Sequence, residues 1–208
     1  MTEELVQKLR SDARDNRDRI LAVAREAFAV DGLDVPVREI ARRAEVGVAT
    51  VYRRFPTKEA LLSAAFTDQM AVCVNIIDEG LAHPDPWLGF CQVIENLLAV
   101  HALDRGFARA MISQFPRLFD FAEARDRSMR TLLQLIRRAK EAGGLRTDVV
   151  LEDVVLAMMA NDGIHAESPG LRIAASRRFA ALMIQSFAAK PTAAPLPPAV
   201  RLPLLTRN

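Results

Sequence analysis

Residues 37–60, VREIARRAEVGVATVYRRFPTKEA, constrain the fold more than any other stretch of the chain. Val37, Ile40, Ala41 and Ala44 recur at the spacing that gathers apolar residues on one face of a helix, leaving Arg38, Glu39, Arg42 and Arg43 for solvent. Pro36 suits the first turn of that helix. Three residues, Glu45 to Gly47, then lead into a second helix barely two turns long. It ends before Pro56, because a proline drives the residue preceding it into extended backbone. Thr57 is a good N-cap for the helix that follows. Small Ala41 and Ala44 let two helices cross closely, and Val46 and Val51 pin the second onto the first. Two short helices joined in this way have the proportions of a helix-turn-helix.

The rest of the chain reads as further helices. From Arg17, RDRILAVAREAFAVDGL sets Ile20, Ala24, Ala27 and Phe28 on one stripe and stops at Gly32, while residues 1–15 read as a flexible, frayed arm. A long helix runs from Thr57–Lys58 to HPDP and connects two bodies. A fifth spans Trp87 to about Leu103, a sixth about Gly106 to Phe115, and a seventh about Arg117 to the glycines of AGGL. Leu151–Ala166 and Leu171–Ala189 are the last two, and both are apolar around most of their circumference. Residues 191–208 hold five of the eleven prolines and cannot be regular helix. With no strand-period segment, the expected class is all-α, of about nine helices. It divides into an arm (1–15), a three-helix head (16–60), a helical body (61–190) and a proline-rich tail (191–208).

Bulk charge does not point to nucleic acid, since the formal net charge is only +2. The signal is local: residues 42–58 carry Arg42, Arg43, Arg53, Arg54 and Lys58 against the single acid Glu45. No twenty-residue apolar run suggests a membrane span, and MTEELVQKLRSDARDNRDRI lacks the apolar centre of a secretory leader, so a cytoplasmic location is expected. Cys73 and Cys91 have no CxxC or CxxH partner and read as buried small hydrophobes. His83, His101 and His165 form no ligand pair, so no metal and no cofactor are expected, and nothing resembles a nucleophile with its base.

With Val51 and Phe55 turned inward, the short helix shows Val48, Ala49, Tyr52 and Arg53 on its outer face, flanked by Thr50 and Arg54. In a helix-turn-helix the second helix lies in the major groove with its N-terminal residues against base edges. Ending it at Pro56 keeps it clear of the backbone and starts a new helix at Thr57–Lys58, whose amides can hold a phosphate. The combination of an I-A-x-x-A-x-V helix with T-[VL]-Y-x-x-F-x-[TSN]-K, preceded by AFAVDGL, resembles the DNA-binding region of TetR-family transcriptional regulators over residues 17–66. That resemblance puts Val48, Ala49, Tyr52 and Arg53 at base edges or the sugar–phosphate wall, with Arg38 reaching in from the preceding helix. Thr50, Tyr52, Arg54, Thr57 and Lys58 would then hold phosphates. Arg53 and Arg38 are the candidates for reading guanine, whose O6 and N7 match the guanidinium fork. The chain departs from the family pattern at VPV, where a phosphate-binding threonine or serine is usual, at Glu45, where glycine is common, and at Gly47, the usual serine cap. Glu45 is then expected either in strained left-handed backbone or in an altered turn.

Trp87, Phe90, Phe107, Met111, Phe115 and Phe119 gather around the fifth to seventh helices, with His101 on the apolar stripe of the fifth. They read equally as core packing or as the wall of a ligand cavity, and the family resemblance implies a small-molecule effector site there. His101 is expected to hydrogen-bond a neighbour. Two terminal helices apolar on both faces suggest a homodimer joined through Val155, Met158, Met159, Phe179, Leu182 and Met183. The expected function is a ligand-responsive, dimeric regulator, a repressor bound to a palindromic double-stranded operator. The competing classes are an all-α small-molecule carrier or enzyme using the same cavity, and a nonspecific DNA-coating protein whose tail recruits a partner.

Overall fold

The computed structural model describes residues 3–112, 122–190 and 194–200. Among these residues there are nine helices and no strand: α1 (Glu3–Val30), α2 (Val37–Arg43), α3 (Val48–Arg54), α4 (Lys58–Ala82), α5 (Pro86–Leu103), α6 (Arg105–Ile112), α7 (Ala122–Glu141), α8 (Leu151–Asp162) and α9 (Pro169–Phe187). An isolated bridge of strand type between Leu145 and Ala188 ties the α7–α8 connection to the end of α9.

Local chemistry sets most of the boundaries. The Thr57 hydroxyl accepts from the Ala60 amide at 3.1 Å to start α4. Asp85 accepts from the amides of Trp87 (2.8 Å) and Leu88 (3.1 Å), with Pro86 in the first turn of α5. Asp104 caps α6 through the Phe107 amide at 2.9 Å, and Ser168 caps α9 through Leu171 at 3.3 Å. Three expectations shift. Pro36 is the N-cap of α2 rather than its first helical residue. α8 ends at Asp162, not Ala166, because Gly163 closes it and Ser168 already opens α9. α1 begins at Glu3, so residues 3–15 are helical and not a frayed arm; Leu5, Leu9 and Ala13 carry the four-residue spacing upstream of Arg17. The outer ends of the sixth and seventh helices, including Phe115, fall outside the described residues.

Ile20, Ala24, Phe28, Ile40, Ala41, Ala44 and Val51 close a core for α1–α3. That head is fused to the body along two seams. α4 leaves the head with Leu61, Leu62, Ala65 and Phe66 buried and packs onward against α5 and α7. α6 lies against the end of α1, where Arg109 donates to the Ala29 carbonyl at 3.3 Å. A Cβ on Gly106 would come within 3.0 Å of the Ala29 backbone nitrogen, so the missing side chain is what permits that approach. Aromatic rings continue the seam inward: Phe28 to Phe66 at 6.0 Å, Phe66 to Phe107 at 5.8 Å, and Phe107 to His101 at 5.6 Å. By length and composition α4 is apolar enough to cross a membrane, contrary to the reading of the sequence. Half of its most apolar window is buried inside the bundle, which is how the core helix of a helical body looks.

Candidate DNA-binding face and body cavity

The turn between α2 and α3 fixes how α3 is presented. Val46 N–H bonds the Ala41 carbonyl at 3.0 Å and Glu45 N–H bonds Arg42 at 3.2 Å, which is the paired bonding of a Schellman motif. Its left-handed position is held by Glu45 at φ +53°, the first of the two expectations for that residue. α3 then starts at Gly47, which offers no side-chain cap, and is anchored by Val51, wholly buried, and Phe55. The opposite face is open. Val48 is 40% and Tyr52 46% exposed, Ala49, Arg53 and Arg54 are exposed, and Thr50 is half-buried.

The arginines divide into two sets. Arg42 makes two bonds to Glu39 (2.9 and 2.7 Å), and Arg43 bonds Glu39 at 2.8 Å and Asp31 at 2.6 Å. Hydrogen bonds from Arg42 and then Arg43 hold the Glu39 carboxyl down at about 2. Both cations are therefore spent within the head, Arg42 along α2 and Arg43 in tying α2 to Asp31 just past the end of α1. Arg38, Arg53, Arg54 and Lys58 make no ion pair among the described residues and keep their charge for an outside partner. Thr57 is exposed, with its hydroxyl engaged as the α4 cap.

In the body, a cavity of about 150 Å³ opens between α4, α5, α6, α7 and α8. Met70, Cys73, Met111, Met129 and Met158 give it a sulfur-rich apolar wall, and His101, Ser128 and Arg125 supply polar groups. His101 is 1% exposed, and its Nδ1 meets no hydrogen-bonding partner among the described residues, so the expected bond to a neighbour is not made. Burial pushes the imidazole down to about 4 and keeps it neutral. Ser128 Oγ is likewise buried and has no partner among the described residues. Burial alone pushes the Cys73 thiol up to about 12, which leaves it inert.

Of the residues expected to line an effector site, His101 and Met111 are the ones among the described residues that border this cavity. Phe107 is fully buried between Phe66 and His101 and packs rather than faces the cavity. Phe90 is core, stacked on Trp87 at 5.9 Å and edge-on to Phe187 at 6.1 Å. Trp87 instead borders a separate open groove of about 480 Å³ beside α9 and Pro195 and Pro197 of the tail. Phe115 and Phe119 lie outside the described residues. Sequence reasoning missed Met70, Cys73, Arg125, Ser128, Met129 and Leu132 because they come from helices distant in the chain.

The residues expected at a dimer contact also separate. Val155, Met159 and Leu182 are exposed, whereas Met158, Phe179 and Met183 are partly buried against the protein's own core. Leu156, 63% exposed and not foreseen, extends the open apolar face of α8. Of the tail, residues 194–200 are described, and they are held to α9 by Gln185 donating to the Ala194 carbonyl at 2.9 Å and Arg178 to that of Pro197.

An exposed short helix on a helix-turn-helix with uncommitted cations, carried on an all-α body, defines a class of DNA-binding regulator. Comparison with known proteins agrees: residues 20–65 match the family model of bacterial regulatory proteins of the tetR family, and residues 85–185 match the SbtR-like transcriptional regulator C-terminal domain. The chain belongs to the TetR family and is a DNA-binding transcriptional regulator. Among solved structures it is similar to the TetR transcriptional regulator SCO0520 from Streptomyces coelicolor, 29% identical over 85% of this chain and 99% of that one, TM-score 0.52. It is also similar to the TetR-family regulator PfmR from Thermus thermophilus, at 25% identity over 81% and 95%, TM-score 0.60. FadR from Bacillus subtilis, solved in complex with stearoyl-CoA, shares the fold at 17% identity over 81% and 98%, TM-score 0.57. Among curated proteins no match is found.

Proposed function

We propose that the protein is a cytoplasmic, ligand-responsive repressor that binds a palindromic operator as a homodimer. The observation that carries the DNA part is the face of α3: Val48, Tyr52, Arg53 and Arg54 stand exposed over a fully buried Val51, with Arg38 and Lys58 equally unpaired. Arg53 and Arg38 read base edges, and Thr50, Tyr52, Arg54 and the Thr57–Lys58 start of α4 hold phosphates. Val155, Leu156 and Met159 of α8 with Leu182 of α9 supply the open apolar face a twofold contact needs. Two heads then read half-sites about 34–36 Å apart.

The cavity is the effector site, and α4 and α6 are the route outward, because both bound the cavity and both touch α1. An effector that binds better to a head spacing unsuited to the operator shifts the population off DNA, by no more than its differential affinity. The stearoyl-CoA held by FadR is not carried over, since a cavity of about 150 Å³ is of the size that takes a single ring.

Operator fragments selected from genomic DNA, then titrated against random duplexes by fluorescence anisotropy, test the reading. A regulator gains specificity of about 10³ or more; near-equal affinity would establish a DNA-coating protein instead. Arg53→Ala relaxes preference at one position per half-site, at about 1–3 kcal/mol. Lys58→Ala weakens all sequences alike and lowers the salt slope by about one unit. Identical behaviour of the two variants overturns the assigned roles.

A further inference from the structure

The walls of the body cavity carry information about what enters it. Three polar groups face a small space otherwise lined by methionine, aliphatic side chains and one inert thiol. His101 Nδ1 and Ser128 Oγ are buried without a partner among the described residues, an arrangement a folded protein keeps only at a cost, since an unsatisfied buried polar group is destabilising. Arg125, half-buried on the same wall, makes no ion pair among the described residues. Arg125 and Ser128 are three residues apart on α7, so they point to one side of the helix. A site built to hold only hydrocarbon would have none of these groups, and an empty apolar cavity of this volume stays dry.

Resting on the reading of this cavity as the effector site, we infer that its ligand is a small aromatic carboxylic acid that also bears a hydroxyl. The ring lies among Met70, Met111, Met129 and Met158, where thioether sulfur packs well on aromatic edges. The carboxylate pairs with the Arg125 fork. The hydroxyl, able to donate and accept at once, answers both His101 Nδ1 and Ser128 Oγ whichever ring nitrogen carries the proton. The neutral state that burial imposes on His101 suits a hydrogen bond to a hydroxyl better than an ion pair. Size excludes a long acyl chain with its nucleotide carrier, and the unpaired cation argues against a purely neutral hydrocarbon.

The full-length protein titrated calorimetrically with the three hydroxybenzoate isomers, benzoate, phenol and stearoyl-CoA tests this. At least one hydroxybenzoate isomer binds once per protomer, and benzoate and phenol, each lacking one of the two polar groups, bind about ten- to a hundredfold more weakly. Ser128→Ala, which alters no packing volume to speak of, brings that isomer down to the level of benzoate. Arg125→Gln brings it down to the level of phenol. Failure of every small acid at millimolar concentration overturns the ligand class, and tight binding of stearoyl-CoA would do the same while leaving the effector site in place. If a hydroxybenzoate binds with the expected variant pattern yet operator affinity does not change, the ligand chemistry stands and the effector reading falls.

Discussion

The outer face of α3 and the wall of the body cavity hold polar groups under opposite solvation. On α3, Tyr52, Arg53 and Arg54 sit in water at no folding cost, over an anchor, Val51 and Phe55, that is entirely apolar. The neighbouring arginines that are not needed outside, Arg42 and Arg43, are neutralised by Glu39 and Asp31. In the cavity, His101 Nδ1 and Ser128 Oγ are removed from water and have no partner among the described residues. A surface meant for a large polyanion can be kept fully solvated until the partner arrives and releases its counterions. The two buried polar atoms of the cavity wall carry their desolvation penalty in the free protein, and a ligand that hydrogen-bonded them would recover it on binding.

That contrast is broken or sharpened first at Phe107, the ring shared by the two regions through Phe66 and His101. Phe107→Ala removes a wholly buried aromatic ring and is expected to destabilise the protein by about 3–5 kcal/mol. If head and body are one cooperative unit, urea unfolding followed by near-ultraviolet dichroism and by far-ultraviolet dichroism shifts as a single transition. Two separated transitions would mean that the cavity and α3 are not mechanically joined at this seam.

Acid titration of stability comes next in size. His101 is pushed from about 6.5 down to about 4 by burial, so between those values the unfolded chain binds a proton that the folded protein refuses. Stability is therefore complete above about pH 6.5 and falls as the pH drops toward 4, by up to about 3 kcal/mol from this one group. Arg125 faces the same cavity with a fixed positive charge, and Cys73 stays a neutral thiol, so neither reverses the sign. The difference in urea midpoint between pH 7 and pH 4.5 should shrink in His101→Gln. An unchanged pH slope in His101→Gln would show that the cavity wall does not carry this penalty.

The two regions were unequally legible in the sequence for the same reason they differ physically. The α3 face is set by local spacing: Val51 and Phe55 on one side, Val48, Ala49, Tyr52 and Arg53 on the other, with Pro56 as the stop, all inside nine residues. What the spacing does not convey is pairing, and so Arg42 and Arg43 counted toward a basic patch that Glu39 and Asp31 cancel. The cavity is assembled from five helices spread over residues 70–158, and proximity in the chain misleads there. Phe90 shares a face of α5 with Leu97 and His101, yet it packs on Phe187, with Trp87 stacked on it, near the start of the helix and about two turns from the cavity. On α8 the helical phase is ambiguous because Val154–Ala160 are all apolar, and spacing alone does not show that Met158 faces the cavity while Leu156 is the more exposed.

The smallest predicted effect compares two copies of one motif. α7 ends as α2 does, with Gly144 N–H on the Ala139 carbonyl at 3.1 Å and Gly143 N–H on Lys140 at 2.9 Å, and the left-handed position at φ +74° belongs to Gly143. In α2 the equivalent position is Glu45, exposed and without a hydrogen bond that would reward its side chain there. A non-glycine residue in this region is strained by about 1 kcal/mol or more, and the extra chain entropy of glycine in the unfolded state returns part of that. Glu45→Gly should therefore stabilise the protein by about 0.5 kcal/mol, and it also removes the only acid between Arg43 and Glu59. Operator affinity at low salt should rise modestly with it, and the gain should fade as salt screens the added potential. A loss of affinity with a gain in stability would mean that Glu45 sets the angle at which α3 is presented.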